Sequence, residues 1–95
     1  MTNIKQIFAE IGVKNIAIVD VRTNDEHRQI SIPNTLHITL DELPLRTNEL
    51  AKFDEIHFFC RAGVRAKTAC VIGLEAKLNC FAVSQGVFEI AEILS

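Results

Sequence analysis

Apolar residues recur at helical spacing in the first part of the chain. From Ile4 to Ile11 they fall at i, i+3, i+4 and i+7, the pattern of an amphipathic helix that packs one face on a core. Thr2 or Asn3 can cap the start of this helix, and Gly12 can end it. Three later stretches carry apolar stripes, capping residues or an early proline and predict further helices: 39–52, 64–78 and 86–94.

Four short, mostly apolar runs predict strands: 16–21, 35–38, 55–60 and 80–84. The first run, Ile-Ala-Ile-Val-Asp-Val, shows no polar alternation, which is typical of a strand buried on both faces. Strands that alternate with helices at this spacing favour parallel pairing through right-handed crossovers. We therefore expect a layered α/β domain with a central, mainly parallel sheet flanked by helices. Sites in such folds lie at the carboxyl ends of the strands.

Length and composition fit one globular domain over residues 1–95, with 48% hydrophobic and 23% charged residues. Ten basic against twelve acidic side chains give a formal net charge of -2, which argues against a nucleic-acid partner. No apolar run is long enough for a membrane span, and Lys5 and Glu10 interrupt the N-terminal apolar stretch, so no signal peptide is predicted. Three cysteines at ten-residue intervals form no Cys-x-x-Cys pair and favour a reducing, cytoplasmic location. Composition does not indicate the oligomeric state.

Cys60 is the first candidate for chemistry, because it ends a predicted strand just before a glycine-containing turn and a helix start. The first backbone N–H groups of a helix have no intrahelical partner, and a turn curled around the sulfur would direct them at it. The stretch 56–74 also contains Arg61, Arg65 and Lys67 and no acidic residue. This setting favours a thiolate nucleophile and an anionic substrate.

Cys70 and Cys80 favour core packing instead. Cys70 lies on a stripe of small residues in the predicted 64–78 helix, and Cys80 lies inside an apolar strand. A resolving-thiol role is the alternative for both. A zinc site that combines His57 with cysteines has no ligand spacing in its favour.

Two motifs carry a family resemblance: the loop Cys60-Arg61-Ala62-Gly63-Val64-Arg65, and the upstream Val19-Asp20-Val21-Arg22 with Glu26 and Ile32-Pro33. Together, in this order and separation, they resemble the active-site loop and the "DVR…E…IP" signature of rhodanese-homology sulfurtransferases. The resemblance covers nearly the whole chain. Departures from the family pattern lie outside the loop: Ile30-Ser31, Asn34-Thr35, Gln85-Gly86 and Ile90.

The resemblance implies a sulfurtransferase in which Cys60 takes a sulfane sulfur as a persulfide from thiosulfate or a persulfide donor. Arg61 or Arg65 would hold the anionic leaving group, and the N–H groups of the loop, including those of Ala62, Gly63 and Val64, would stabilise the persulfide. The acceptor would be a thiol, a protein or cyanide, and no metal or organic cofactor is needed. The alternative is a persulfide carrier or regulatory module that acts with a protein partner.

A phosphatase is disfavoured by the length of the loop. Cysteine-dependent phosphatases need Cys-x5-Arg so that the arginine reaches a tetrahedral phosphate, whereas position 66 is Ala and Arg65 gives Cys-x4-Arg.

Polar residues outside the loop are expected to be structural. Asp20 can accept backbone hydrogen bonds at its strand end, and Arg22 can pair with Glu26. We expect His27 and His37 to be structural or exposed, with no catalytic role.

Overall fold

A parallel β-sheet forms the centre of the molecule in the computed structural model, which describes residues 3–95. Its strands are β1 (Ile16–Asp20), β2 (Leu36–His37), β3 (Glu55–Phe59) and β4 (Cys80–Ala82). They are ordered β2-β1-β3-β4, and each neighbouring pair is parallel. The predicted layered α/β fold is therefore confirmed. Each strand is one or two residues shorter than its predicted run, so Cys60 lies immediately beyond β3.

Helices precede, connect and follow these strands: α1 (Ile4–Glu10), α2 (Asn24–Gln29), α3 (Leu43–Arg46), α4 (Val64–Glu75) and α5 (Val87–Leu94). The side chain of Asn3 caps α1 by accepting a hydrogen bond from the Gln6 N–H, while the other predicted cap, Thr2, lies outside the described residues. Within residues 3–95, no helix is both long and apolar enough to cross a bilayer.

Two predicted helices differ in extent from the structure. The predicted 39–52 helix is α3 followed by a 3₁₀ turn, Thr47–Leu50. The predicted 64–78 helix ends at Glu75, because Lys77 adopts a left-handed conformation with φ 64°. The N–H of Leu78 then donates to the Gly73 carbonyl, which closes the helix end.

Helix α2 was not predicted. Its sequence, Asn-Asp-Glu-His-Arg-Gln, contains no apolar residue and none of it is buried, so it has no amphipathic stripe. A capping box holds it, in which the Thr23 side chain accepts from the Glu26 N–H and the Glu26 carboxylate accepts from the Thr23 N–H.

Every residue of β1 is buried, as expected for a strand covered on both faces. One face of the sheet packs on α3 and α4 through a cluster that includes Ala17, Val19, Leu43, Ile56, Phe58, Ala66 and Ala69. The other face packs on α1 and α5 through Ile4, Ile16, Ile18, Phe59, Val87 and Ile90. The small side chains Ala66 and Ala69 let α4 lie close to the sheet.

Candidate active site

Cys60 follows β3 at the carboxyl edge of the sheet. Only 1% of this residue is exposed to solvent. The N–H of Gly63 donates a hydrogen bond to Cys60 Sγ at 3.0 Å. This contact requires the chain to curl back at residues 61–63, and Gly63 permits it with a φ of 93° that side chains rarely adopt. The loop therefore curls back so that the Gly63 N–H faces the Cys60 sulfur.

The same turn starts α4. Gly63 is the residue before the helix, and no side chain caps the helix N-terminus. The first N–H groups of α4 thus have no intrahelical partner, and the positive end of the helix lies beside Cys60. Such an end favours a thiolate or a persulfide anion over the neutral form.

Gly86, the residue before α5, lies against the main chain of the Cys60 loop. A Cβ atom on Gly86 would lie 1.8 Å from the Arg61 carbonyl oxygen, so only glycine allows this close approach. The next residue, Val87, donates its N–H to the Cys60 carbonyl at 2.9 Å. The start of α5 therefore packs directly against the Cys60 loop.

Arg65 ends the loop motif in a bidentate ion pair with Glu26 of α2. Its Nη1 and Nη2 atoms lie 2.5 Å and 2.9 Å from the two carboxylate oxygens. Hydrogen bonds from Arg65, with smaller contributions from Thr23, lower the pKa of Glu26 to about 2 although burial opposes the shift. Glu26 in turn raises the pKa of Arg65. This pair fixes the loop to α2.

The predicted pairing of Arg22 with the Glu26 carboxylate is wrong. The Arg22 side chain instead binds the Asp20 carboxylate, with Nε–Oδ1 at 3.0 Å and Nη2–Oδ2 at 2.8 Å. It reaches only the main-chain carbonyl of Glu26, at 3.2 Å. The reason is proximity: Asp20 and Arg22 are both buried at the end of β1, whereas Glu26 faces Arg65.

Asp20 accepts the backbone hydrogen bond expected of it, from the Arg22 N–H at 2.9 Å. Its other carboxylate oxygen lies 3.1 Å from His27 Nδ1. The His27 ring stacks on His37 with centroids 4.0 Å apart, and His37 Nε2 lies 2.9 Å from the Arg22 carbonyl. Both histidines thus take part in structural contacts at the end of β1.

Comparison with known proteins decides the family. Residues 4–92 match the family described as rhodanese-like domain. The chain belongs to the rhodanese-like domain family. This rhodanese-like chain is 39% identical over 56 residues to YrkF of Bacillus subtilis, provisionally named a sulfur carrier protein, covering 59% of this chain and 30% of YrkF. It is 33% identical over 57 residues to a protein of Allochromatium vinosum named sulfurtransferase, covering 60% of this chain and 53% of that protein.

The rhodanese-like chain thus spans about half, or less, of the length of these two relatives. Its fold is similar to the crystal structure of a rhodanese-like domain protein from Staphylococcus aureus, with a TM-score of 0.74 and 30% identity. That similarity covers 90% of this chain and 84% of the staphylococcal chain.

The outer surface of the rhodanese-like loop is exposed and partly apolar. Val64 is 72% exposed, and the Arg61 guanidinium lies 5.6 Å from the centre of the Phe88 ring, which is itself more than half exposed. No carboxylate in residues 3–95 pairs with Arg61. Arg61 therefore presents a free cation beside the loop, whereas the charge of Arg65 is matched by Glu26.

A small cavity of about 110 Å³ lies next to Arg65, between the ends of β1 and β2 and the start of α3. Arg65 lines it together with Val21, Thr23, Thr39, Leu40 and Asp41, and Cys60 does not. Of the six predicted loop residues, the structure thus places Arg65 on a cavity and Arg61, Ala62 and Val64 at the surface.

The other cysteines lie away from this loop. Cys80 is buried and Cys70 is half-buried, in agreement with the expected core packing, and their sulfur atoms lie 3.7 Å apart. His57 lies 3.3 Å from the Glu55 carboxylate and stacks on Phe81. Among residues 3–95, no three His, Cys, Asp or Glu side chains gather in a way that could hold a metal ion.

Proposed function

We propose that this chain is a sulfurtransferase in which Cys60 carries sulfur as a persulfide. One observation carries the proposal: the Gly63 N–H points at Cys60 Sγ from 3.0 Å, at the uncapped N-terminus of α4. A nucleophilic thiolate and a persulfide are both anionic sulfur species, and both are stabilised by N–H donors and by the positive end of a helix. The Cys-x4-Arg spacing of residues 60–65 is one residue shorter than the Cys-x5-Arg of cysteine-dependent phosphatases, which favours transfer of a single sulfur over binding of a tetrahedral phosphate.

The reaction has two steps in this proposal. The Cys60 thiolate attacks the outer sulfur of thiosulfate, the sulfur–sulfur bond breaks, and sulfite leaves with the electron pair. An acceptor thiolate or cyanide then attacks the terminal sulfur of the Cys60 persulfide, and the Cys60 thiolate is the leaving group. Neither step needs an external oxidant or reductant.

The two arginines of the loop take different parts in this proposal. Arg61 has a free charge near the loop and is the better candidate to meet the anionic sulfite leaving group. Arg65 is already bound to both oxygens of Glu26, so we assign it to holding the loop around the sulfur. The backbone N–H groups of Ala62, Gly63 and Val64 complete the proposed site.

Intact-mass analysis after incubation with thiosulfate tests the proposal. We expect the protein to gain the mass of one sulfur atom and to lose it when cyanide is added. The Cys60→Ser variant should gain none, and the matched control Cys70→Ala should gain the sulfur as the unmodified protein does. Sulfur that still adds to Cys60→Ser, on Cys70 or Cys80, would overturn the assignment.

A second function, persulfide carrier for a protein partner, is favoured by one observation. Cys60 is almost fully buried while Val64, Phe88 and Arg61 are exposed around it, so a macromolecule can contact the loop over a wider surface than a small acceptor can. The relative YrkF is itself provisionally named a sulfur carrier protein. Steady-state turnover of thiosulfate with cyanide, compared with single-turnover transfer to a dithiol protein of the thioredoxin class, separates the two functions. A carrier transfers quickly to the protein and turns over slowly with cyanide.

A further inference from the structure

Cys70 of α4 and Cys80 of β4 place their sulfur atoms in contact. The two Sγ atoms are 3.7 Å apart, and each thiol also contacts the main-chain carbonyl of the other residue, at 3.5 Å and 3.4 Å. A disulfide bond is about 2.05 Å long, so each sulfur needs to move by less than about 1 Å to form one. The pair is therefore preorganised for a covalent bond between α4 and β4.

Gly73 makes room for this contact. It lies one turn after Cys70 on α4, and a Cβ atom there would come within 2.6 Å of Cys80 Sγ and 3.3 Å of the Phe58 ring. Without a side chain at this position, α4 approaches β4 closely enough for the two thiols to meet. The small-residue stripe of α4 thus positions the cysteine pair as well as the helix.

The pair is separate from the proposed sulfur-transfer site. In the sheet, Cys80 is in register with Ile56, which precedes Cys60 by four residues on the same extended segment. At about 3.3 Å per strand residue, the two positions differ by about 13 Å along the sheet. Cys80 is therefore too distant to resolve a bond formed at Cys60 in this fold.

The two thiols of the pair differ in access. Cys70 is half-buried and can be reached from solvent, whereas Cys80 is 5% exposed. Burial, together with the hydrogen bond to Cys70, raises the pKa of Cys80 to about 12, so Cys80 stays a protonated thiol near neutral pH. An oxidant from solvent consequently meets Cys70 first.

We propose that Cys70 and Cys80 are a second thiol site, which hydrogen peroxide converts into an intramolecular disulfide. The Cys70 sulfur attacks one peroxide oxygen, the oxygen–oxygen bond breaks, and one water leaves as Cys70 becomes a sulfenic acid. The Cys80 sulfur then attacks the Cys70 sulfur while the Cys80 thiol proton passes to the departing hydroxide, so the sulfur–oxygen bond breaks and a second water leaves. Two thiols lose two electrons in total, and one peroxide gains them.

The test uses the Cys60→Ser protein, in which only the pair remains. The protein is treated with hydrogen peroxide, unfolded, alkylated with iodoacetamide and weighed intact. We expect the mass to fall by two hydrogen atoms with no alkyl group added, and dithiothreitol before alkylation should restore two alkylated cysteines. The matched Cys60→Ser, Cys70→Ala and Cys60→Ser, Cys80→Ala proteins each keep a single cysteine and should form no intramolecular bond.

Peptide mapping of the oxidised unmodified protein is the second readout, and it does not depend on how the variants fold. A cross-linked peptide joining Cys70 to Cys80 is the expected product. Full alkylation of both cysteines after peroxide in folded Cys60→Ser protein, oxidation of Cys70 beyond sulfenic acid without a bond to Cys80, or disulfide-linked dimers in place of the internal bond would each overturn the proposal.

Discussion

At the residue scale, Glu26 is the side chain whose ionisation links the site to stability. It binds Arg65 across 39 positions of the chain, and its pKa of about 2 lies below its ordinary value of 4.5. A carboxyl whose pKa is lowered by folding stabilises the protein at a pH above its unfolded pKa. That contribution is lost as the pH falls through the folded pKa.

We expect Glu26→Gln to lower the free energy of unfolding by about 1–2 kcal/mol near neutral pH, because the variant loses a partly buried ion pair. The difference from the unmodified protein should shrink as the pH falls from about 4.5 to about 2, where Glu26 becomes protonated. Urea unfolding of both proteins over a series of pH values measures this difference in the free energy of unfolding. Asp25→Asn on the same helix is the control and should have little effect, since its pair with Arg28 is largely exposed. A difference that stayed constant down to pH 2 would contradict the assigned ion pair.

Replacement of each loop arginine should change the kinetics differently for charged and uncharged sulfur donors. Arg61→Ala should raise the KM for thiosulfate by about tenfold and leave an uncharged persulfide donor nearly unaffected, because its free charge is proposed to meet the anion. Arg65→Ala should lower kcat/KM for both donors, since the loop then loses its anchor to Glu26. Lys67→Ala, an exposed cation one turn into α4, serves as the charge control. Equal responses of Arg61→Ala to charged and neutral donors would refute the electrostatic role.

At the scale of elements, the close approach between the Cys60 loop and the start of α5 depends on Gly86. Gly86→Ala places a Cβ against the Arg61 carbonyl, where the neighbouring atoms are main chain and cannot rotate away. We expect sulfur transfer to fall by at least about tenfold, because the loop must shift to relieve the contact. The control is Gly12→Ala, where φ is positive at 88° but no atom lies within 4 Å of the added Cβ. That variant should lose some stability and keep its activity; full activity of folded Gly86→Ala would show that the approach is not needed.

The position of Cys60 is predictable from the sequence because a strand end, a glycine turn and a helix start are consecutive there. Helix α2 escapes prediction because hydrophobic periodicity detects only helices with an apolar face. Its local signals are the Thr23 to Glu26 capping box and the charges of its first and last turns. The partner of Arg65 could not be predicted, since it depends on where α2 packs relative to α4. The left-handed conformation of Lys77 at the end of α4 could not be predicted either, because glycine usually occupies such a position.

At the scale of the whole molecule, the sheet separates two apolar clusters, and Phe58 is fully buried in the one beneath α4. We expect Phe58→Ala to lower the free energy of unfolding by about 3–5 kcal/mol, because a large side chain is lost from a packed core. Such a loss is a large share of the total stability of about 5–15 kcal/mol for a typical domain. Phe88→Ala is the matched control. Loss of this exposed ring should lower the free energy of unfolding by less than about 1 kcal/mol. Denaturant titration of both variants measures the contrast, and similar losses would contradict the assigned burial.

The hydrogen bond from the Val87 N–H to the Cys60 carbonyl has a consequence for the order in which the chain is made. Cys60 is added to the growing chain before Gly86, Val87 or any of α5, and these later residues are the ones that pack against the loop. All strand pairs are parallel, so each of them also waits for a crossover segment to be completed. The Cys60 loop therefore gains its hydrogen bond from Val87, and its contact with the start of α5, only after every strand of the sheet has been synthesised.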